Sequence, residues 1–521
     1  MINKRFLNNQ NYFLLVIFLF SLSINQYYGN RGIFPIESTA FFDTSYRILQ
    51  GDVPFKDFWI VSGVFIDYVQ AVFFWLFGLN FQVYIFHASL INGLISIMTF
   101  LFLINLQIEK YYSFIYAILF SVLAYTTSGT LYVDNHASLL CVAAFYSFIF
   151  GITNRKKKNF FLVPIFIGVA FLTKSAPTIY MFLSLSLIIL FYILQSKKFE
   201  IFFILIVSSI CFLTITLFFI LIFKIPFDLI LDQYFYFPMT VADERYANFT
   251  LSFKNIFLNF KFIYVFIIPL IILNVYKIYT QKNYIKNNNF FIFLSFLALS
   301  LSLMFHQLNT KNQLFILFLI PLACAILHSQ LELSEVKRKK LIINLILILS
   351  IIFTIKYHFR YNEQRKFHEM SDIDFKQTIG AKKIDQKLSG LNWISPLYKN
   401  NPKFEIEQLV NTLEVLKKDK QKKMIITNYS FVSVLLNENS NSPSRWYISN
   451  GAAYPIINNR YYELYKRYLI NLIESKKIEV IYVIKPVAPE ELFRYVNNRC
   501  FTSQELTKIA IKYELKTNCK L

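Results

Sequence analysis

The sequence predicts a mainly α polytopic membrane protein with about 11 transmembrane helices and a C-terminal extracytoplasmic α/β domain. Three observations lead to this fold class. Hydrophobic residues make up 56% of the 521 residues and charged residues only 16%, whereas a soluble chain carries about 25% charged residues. The apolar residues come in blocks of roughly 16–23, long enough to cross a hydrocarbon core of about 30 Å. Near residue 358 shorter β-rich and amphipathic runs replace these blocks. A soluble enzyme and a disordered chain are therefore excluded.

The apolar blocks give the individual transmembrane helices. They fall near residues 12–28, 84–106, 111–128, 137–152, 160–173, 176–195, 201–223, 262–279, 290–305, 314–328 and 341–357. The first block follows Lys4 and Arg5 without a small-residue cleavage site, which predicts a retained signal anchor. A further apolar stretch, Trp59–Leu79, contains Asp67 and Gln70 among aromatic residues. Its composition is typical of an interfacial or re-entrant helix rather than a span.

Charge predicts how these helices are oriented. With the N-terminus inside, six inner segments are rich in Lys and Arg, among them Arg155–Lys158 and Lys337–Lys340. Most acids of the membrane domain fall on the other side, as the positive-inside rule requires. Counting Trp59–Leu79 as a span would place Arg155–Lys158 outside. We therefore expect a multi-pass protein of the inner (plasma) membrane, with a cytoplasmic N-terminus and a periplasmic C-terminal domain. The net charge of +22 does not indicate a nucleic-acid partner, because the basic excess of membrane proteins usually lies in cytoplasmic loops.

Two domains are predicted: a transmembrane domain over residues 1–357, with a long first outer loop at about 29–83, and a soluble periplasmic α/β domain over 358–521. In the second domain helical stretches alternate with β-rich runs, which predicts a largely parallel sheet. The expected helices are 403–419, 459–475, 488–498 and 504–508; the expected strands are 423–429, 445–449, 478–484 and 511–515. Cys500 and Cys519 are the only cysteines outside the apolar blocks. Because the topology places them in an oxidising compartment, we expect a disulfide between them.

The first outer loop is rich in carboxylates, namely Glu37, Asp43, Asp52 and Asp57. A carboxylate at the mouth of an apolar cavity is costly unless it is paired or used. A partly desolvated carboxylate is what a glycosyl transfer needs as general base, to take the proton of the acceptor hydroxyl. The alternative is that these residues are ordinary solvated loop acids.

The order of residues in this loop is more specific than its charge. Glu37 is followed by Tyr46–Trp59, which reads YRILQGDVPFKDFW, then by an aromatic amphipathic helix and LFG. This arrangement resembles the first periplasmic loop of the GT-C glycosyltransferases, the superfamily of protein O-mannosyltransferases and lipid A aminoarabinose transferases. The resemblance implies a GT-C-like fold, with Glu37 at the position of the catalytic acid. Ile36 replaces a second acid often found there, and Ser62-Gly63-Val64 replaces a Gly-Pro, so Glu37 and Asp43 both stay candidates for the base.

A second match to the same superfamily lies between the third and fourth spans, in TLYVDNHA. The family places an acid at the outer end of the following helix, and Asp134 corresponds to it, with His136 at the position of a proline. The resemblance implies a catalytic or metal-related role for Asp134. An N-cap of the helix is the alternative reading, and the two roles are compatible.

Cations on the same side would hold the phosphate of a donor. Lys174 ends the fifth span in FLTK, where the family often carries Leu-Thr-Lys; alternatively it snorkels to lipid headgroups. Arg245 and the run HQLNTKN, with His306 and Lys311, lie in later outer loops, and Lys56 lies in the first loop. Arg245 stands beside two acids and is alternatively a local ion pair, and His306 is alternatively a polar loop contact. No metal ligand is assigned and the sequence indicates no definite cofactor; a divalent cation is compatible with the carboxylates, and metal binding by His306 is a weaker alternative to a polar loop contact.

The sequence contains no P-loop, no G-x-G-x-x-G and no H-E-x-x-H. Nucleotide sugars are cytoplasmic, so an outer-face enzyme would use a sugar carried on polyprenyl phosphate in the bilayer. The resemblance therefore implies a glycosyltransferase, a hexosyl- or pentosyltransferase, that inverts the anomeric carbon and acts on an envelope glycan, lipid or protein. The alternative is an O-antigen or polysaccharide polymerase, or a transporter of polysaccharide or lipid-linked sugar. Such polymerases concentrate Arg in two outer loops, whereas this chain concentrates acids in the first. A non-catalytic scaffold is disfavoured by the same acids.

Overall fold

The computed structural model describes residues 10–125, 129–250, 252–310, 315–517, 519 and 521. In chain order its α-helices are α1 (Gln10–Gly29), α2 (Pro35–Ser38), α3 (Phe42–Leu49), α4 (Phe65–Phe77), α5 (Phe81–Asn105), α6 (Lys110–Ala124), α7 (Val133–Asn154), α8 (Lys157–Phe171), α9 (Ser175–Ser196), α10 (Glu200–Ile222), α11 (Phe227–Ile230), α12 (Phe237–Ala247), α13 (Lys261–Thr280), α14 (Asn288–Asn309), α15 (Leu319–Glu332), α16 (Lys339–Tyr357), α17 (Pro402–Lys418), α18 (Val432–Leu436), α19 (Tyr462–Ser475) and α20 (Glu490–Phe493). The strands are β1 (Ile379–Gly380), β2 (Asn392–Trp393), β3 (Lys423–Ile426), β4 (Val480–Ile484), β5 (Phe501–Thr507) and β6 (Ala510–Leu515).

Each predicted transmembrane block overlaps a helix, and the chain is a mainly α polytopic membrane protein. Among the described residues, eight helices are long and apolar enough to cross a membrane: α1, α5, α7, α9, α10, α13, α14 and α16 with its continuation to Glu363. The other three, α6, α8 and α15, have 15, 15 and 14 residues. The stretch Trp59–Leu79 forms α4, which has 13 residues.

The chain folds as two compact units. Unit 1 comprises Met1–Tyr28, Ala88–Thr216 and Phe249–Phe367; unit 2 comprises Gly29–His87, Leu217–Asn248 and His368–Leu521. Apart from the helix ends that they include, the three segments of unit 2 lie in parts of the chain that the charge pattern places outside the membrane. The first outer loop and residues 368–521 therefore belong to the same compact unit.

Unit 1 is a helical bundle built around α7, whose side chains are buried along nearly its whole length. Helices α8, α9 and α14 pack against it. Polar side chains join other helices: the Asn92 amide nitrogen donates to the carbonyl of Ser121 at 2.9 Å, and that of Asn25 donates to Gly129 at 2.8 Å. Gly93 allows α1 and α5 to approach closely, because a Cβ there would lie 2.8 Å from the ring of Phe18. Small and polar residues at helix contacts are typical of membrane bundles.

Unit 2 contains a four-stranded mixed sheet in the order β3-β4-β6-β5. Strands β3 and β4 are parallel, whereas β6 is antiparallel to both of its neighbours. The amphipathic helices α17 and α19 bury one face each. All three segments of the unit share one apolar core, to which Trp59 and Phe237 contribute beside strand residues such as Ile426 and Ile481.

Several predictions for the C-terminal domain are wrong in detail. The sheet is mixed rather than largely parallel, since one pairing of three is parallel. Residues 504–508 belong to strand β5, because pairing with β6 outweighs a weak local helix preference. Residues 445–449 form no strand; the amide of Asn428 takes the place of a ladder there, bonding both the N–H and the carbonyl of Tyr447 at 2.9 and 3.0 Å. Of the expected helix 488–498 only α20 forms.

Cys500 and Cys519 are joined by a disulfide, with their Cα atoms 5.4 Å apart. Cys500 is buried in the core of unit 2, and Cys519 packs partly against the same core. The other cysteines, Cys141, Cys211 and Cys324, are free thiols. The disulfide ties the end of the chain to the start of β5.

Candidate functional site

Three of the predicted site residues meet in unit 1. The Oδ1 atom of Asp134 is hydrogen-bonded to Nε2 of His306, and its Oδ2 atom lies 3.9 Å from Nζ of Lys174. Asp134 and His306 are buried, whereas a quarter of the Lys174 side chain is exposed. The fold thus brings together an acid, an imidazole and a cation that the sequence carries in three different loops.

Helix ends place these three side chains. Asp134 lies in the first turn of α7, where free backbone N–H groups favour a negative charge. His306 lies in the last turn of α14, and Lys174 precedes α9 in extended backbone. In the predicted topology all three helix ends lie at the outer face, where the bilayer gives way to water.

The Asp134–His306 contact determines what the imidazole can do. When Asp134 is ionised, its carboxylate only accepts hydrogen bonds, and the ring proton of His306 then lies on Nε2. Nδ1 of His306 is buried and makes no hydrogen bond within the described residues. Asp134 therefore orients His306, in the way that a carboxylate fixes the tautomer of a catalytic histidine.

Neighbouring side chains hold the ends of α14 and α7. The side-chain oxygen of Gln307 accepts the backbone N–H of Phe315 at 2.8 Å, and the Asn309 amide donates to the Tyr180 hydroxyl at 3.3 Å. His136, at the proline position of the second motif, is buried and hydrogen-bonded to the Tyr125 hydroxyl at 2.7 Å. Lys311, a predicted phosphate ligand, lies outside the described residues. No group of three or more His, Cys, Asp or Glu side chains suited to a metal occurs in the described part of the chain.

The two candidate bases of the first loop lie in unit 2, in different surroundings. Glu37 is half-buried in the short helix α2. Asp43, in α3, is buried, and its two oxygens accept the backbone N–H groups of Ser433 and Val434 at 3.1 and 3.2 Å. Burial raises the pKa of Asp43 to about 6, although these N–H groups and Arg47 act in the opposite direction. Asp43 therefore caps the N-terminus of α18.

The segment YRILQGDVPFKDFW is organised by Arg47. Its buried guanidinium donates to the carboxylate of Asp52 at 2.8 Å and to the carbonyls of Asp57 and Ser442 at 3.0 and 2.7 Å. Nζ of Lys476 lies 3.3 Å from Asp52 and 2.9 Å from Asp57. Burial alone would raise the pKa of Asp52, but Arg47 and Lys476 outweigh that effect and lower it. The acids Asp52 and Asp57 thus take part in an ion-pair network that fixes the loop.

Two further predicted phosphate ligands also belong to unit 2. Lys56 is exposed in the first loop, and Arg245 is half-buried in the last turn of α12. The predicted site residues therefore fall into two groups: Asp134, Lys174 and His306 in unit 1, and the residues of the first loop together with Arg245 in unit 2.

A buried ion pair in unit 2 was not predicted. Nη2 of Arg445 is hydrogen-bonded to Oδ2 of Asp67, and Nη1 donates to the Ser62 hydroxyl at 2.6 Å. The Thr44 hydroxyl donates to the other oxygen of Asp67 at 2.6 Å. The position of Asp67 in an aromatic stretch was the one available sign, because Arg445 lies in a run that reads as an ordinary strand.

An apolar groove of about 870 Å³ runs along α8, α9 and α10 in unit 1. Its walls are formed by aliphatic and aromatic side chains, for example Ile167, Phe182 and Leu213. Phe171 and Thr178, which flank Lys174 in the sequence, both line it. The groove therefore reaches the helix hairpin that carries this cation.

Comparison with known proteins gives similarity at the level of structure only. No family model and no curated protein matches the chain. Among solved structures, the chain is similar to the crystal structure of ArnT from Cupriavidus metallidurans in the apo state, with a TM-score of 0.46, 11% sequence identity and 96% of each chain covered. It is also similar to ArnT from the same organism bound to undecaprenyl phosphate, with a TM-score of 0.44, 11% identity, and 97% of this chain and 98% of that chain covered. What this chain does is therefore inferred from its own residues.

Proposed function

We propose that this protein is an integral-membrane glycosyltransferase. It moves a sugar from a polyprenyl-phosphate-linked donor to an envelope glycan, lipid or protein acceptor on the outer face of the membrane. The observation that carries the proposal is the cluster of Asp134, His306 and Lys174 at the ends of membrane helices. A buried carboxylate in a membrane protein is costly and is retained for a function.

The donor would bind through both its phosphate and its lipid. The partly exposed Lys174 ammonium supplies a positive charge for the phosphate, with Arg245 and Lys311 as further cations. The groove along α8, α9 and α10 would take the isoprenoid chain, because its lining is apolar and it reaches the helix hairpin that carries Lys174. A phosphate at the membrane edge with its lipid among helices is the arrangement that a polyprenyl phosphate requires.

Glu37 is the base in this proposal, and Asp43 is not. Both oxygens of Asp43 already accept backbone N–H groups of α18, so protonation of this carboxylate would weaken that cap. As the acceptor oxygen attacks the anomeric carbon, Glu37 takes its proton and the bond between sugar and phosphate breaks. The bonding electrons leave on the phosphate, whose added charge Lys174 offsets. A single displacement of this kind inverts the anomeric carbon.

Asp134 has a supporting role in this reaction. Its carboxylate contacts both His306 and Lys174, so it anchors both side chains. Without this carboxylate, His306 and Lys174 would lose the side chain that both of them contact.

Analysis of the envelope glycans tests the proposal and separates it from the alternative. A strain lacking the protein should lose one sugar from an envelope glycan, lipid or protein, and wild-type protein should restore it. Asp134→Asn and Glu37→Gln, expressed at wild-type level, should not restore it. Polysaccharide of altered length with every sugar present would instead indicate a polymerase, and unchanged glycans would refute the transferase.

A further inference from the structure

The C-terminal domain is hydrogen-bonded to the first outer loop on both sides of Glu37. Before it, the N–H groups of Gly32 and Ile33 donate to the carbonyls of Asn392 and Ile394 at 2.9 and 2.8 Å. After it, the N–H of Trp59 donates to the carbonyl of Pro443 at 2.8 Å. A closer attachment after Glu37 is that of Asp43, whose N–H donates to the carbonyl of Ser430 at 2.9 Å. The segment that carries Glu37 is thus held to the C-terminal domain through its backbone on both sides.

One buried side chain of the C-terminal domain, that of Arg445, also contacts the loop. The guanidinium of Arg445 is hydrogen-bonded to Asp67 of α4 and to the hydroxyl of Ser62, and it lies 4.7 Å from the ring centre of Phe41. Asp67 in turn accepts the hydroxyl of Thr44 in α3. A single buried cation therefore contacts or bridges three parts of the loop: the residues just after Glu37, the segment before α4, and α4 itself.

We infer that Arg445 is a positioning residue for the loop that bears Glu37, so that the C-terminal domain sets the geometry of the proposed base. This inference rests on the proposed function of Glu37. Phe41, which lies against the guanidinium, is four positions from Glu37 in the chain. Thr44, three residues further on, is hydrogen-bonded to Asp67, the partner of Arg445. Because a guanidinium presents donors in a rigid fork, it fixes both Asp67 and Ser62 in one orientation, which a lysine ammonium cannot do.

The test measures the loop and the reaction separately in the purified full-length protein. Arg445→Gln should speed hydrogen exchange of the amides in residues 34–49 by about tenfold or more, while amides of β3 and β4 keep their wild-type rates. With turnover normalised to folded protein, kcat should fall by about 10²-fold because the base is displaced, and KM for a polyprenyl-phosphate sugar should stay unchanged. Arg445→Lys should recover part of kcat, since it keeps the charge opposite Asp67.

A matched variant controls for general damage to the C-terminal domain. Asp419→Asn removes an ion pair with Lys512, 3.2 Å away, inside that domain; it should leave both the exchange of residues 34–49 and kcat unchanged. Asp67→Asn removes the negative charge of the same ion pair from the loop side, with an isosteric group, and should reproduce the effect of Arg445→Gln.

The outcomes separate this inference from the proposed function. Faster exchange in 34–49 together with a loss confined to kcat supports the positioning role. Unchanged exchange in Arg445→Gln and Asp67→Asn, or a loss of kcat in Asp419→Asn equal to theirs, would overturn it. If the loop loosens in both variants but the wild-type protein transfers no sugar, the link from Arg445 to the loop stands, while the proposed function and the inferred role in catalysis are both refuted.

Discussion

Breaking the disulfide between Cys500 and Cys519 should destabilise the C-terminal domain by an amount that depends on which cysteine is replaced. The two residues are 19 positions apart. For a loop of this size the chain-entropy model gives about 3 kcal/mol at 25 °C. In Cys519→Ser, which changes a half-buried position, we expect this cross-link contribution alone. For a domain of this size, 3 kcal/mol corresponds to a fall in Tm of about 6–12 °C.

Cys500→Ser should cost more than Cys519→Ser. Cys500 is buried in the core of unit 2, beside residues such as Phe501 and Tyr513. A hydroxyl in this apolar position adds roughly 1–3 kcal/mol to the loss of the cross-link. Transfer per folded molecule should be unchanged in both variants, because neither cysteine belongs to the proposed catalytic machinery.

Thermal unfolding with and without reductant, combined with thiol counting, checks this reasoning. Reduced wild-type protein should have the same Tm as Cys519→Ser, and reductant should not lower the Tm of either variant further. In unreduced, denatured protein three thiols should react, those of Cys141, Cys211 and Cys324. Labelling of five thiols would show that the bridge is absent, and a Tm unaffected by reductant would refute the estimated magnitude.

Three further predictions concern the site and the topology. Folding raises the pKa of Asp43 to about 6, so the stability that this residue contributes is full below its unfolded pKa of about 4 and is lost as pH rises through about 6. Asp43→Asn should therefore have the wild-type Tm at pH 4, a higher Tm than the wild type at pH 8, and unchanged transfer. An inactive Asp43→Asn variant would instead make Asp43 the base. Lys174→Met should raise KM for a polyprenyl-phosphate sugar by about tenfold or more, because a charge-assisted contact is worth roughly 1.5–3 kcal/mol. Lys174→Arg keeps the charge and should have a KM near that of the wild type. Equal KM values in the two variants would show that Lys174 does not contact the donor. Reporter fusions should place Arg155–Lys158 inside and the C-terminus outside, and an inactive alkaline-phosphatase fusion at the C-terminus would contradict the odd number of spans.

The membrane helices were predictable because their signal is local. About 20 consecutive apolar residues specify a span wherever they occur, and each predicted block overlaps a helix. The short helix α4 was also recognisable, since Asp67 and Gln70 interrupt its apolar run. The ends of the spans were less predictable: α15 begins at Leu319 rather than near residue 314.

Pairings between distant residues were harder to predict. The loops that carry Asp134, Lys174 and His306 could be assigned to one side of the membrane, but their mutual contacts depend on how α7, α9 and α14 pack. Asp43 was selected as a candidate base from its charge and place in the loop, and nothing local revealed that α18, nearly four hundred residues later, would bind it. The helix predicted at residues 504–508 was wrong for the same reason: pairing with β6 determines the conformation of β5 more than its own composition does.

The central claim, sugar transfer from a polyprenyl-phosphate donor with Glu37 as base, is tested most directly by one kinetic experiment. Purified wild-type protein and Glu37→Gln are given a polyprenyl-phosphate sugar radiolabelled in the sugar, with envelope extract as acceptor, and the label leaving the lipid fraction is followed. The account predicts transfer by the wild type with inversion at the anomeric carbon, and a rate about 10²–10⁴-fold lower for the folded variant. Transfer by Glu37→Gln at the wild-type rate, or no transfer by the wild type from any polyprenyl-phosphate sugar, would contradict it.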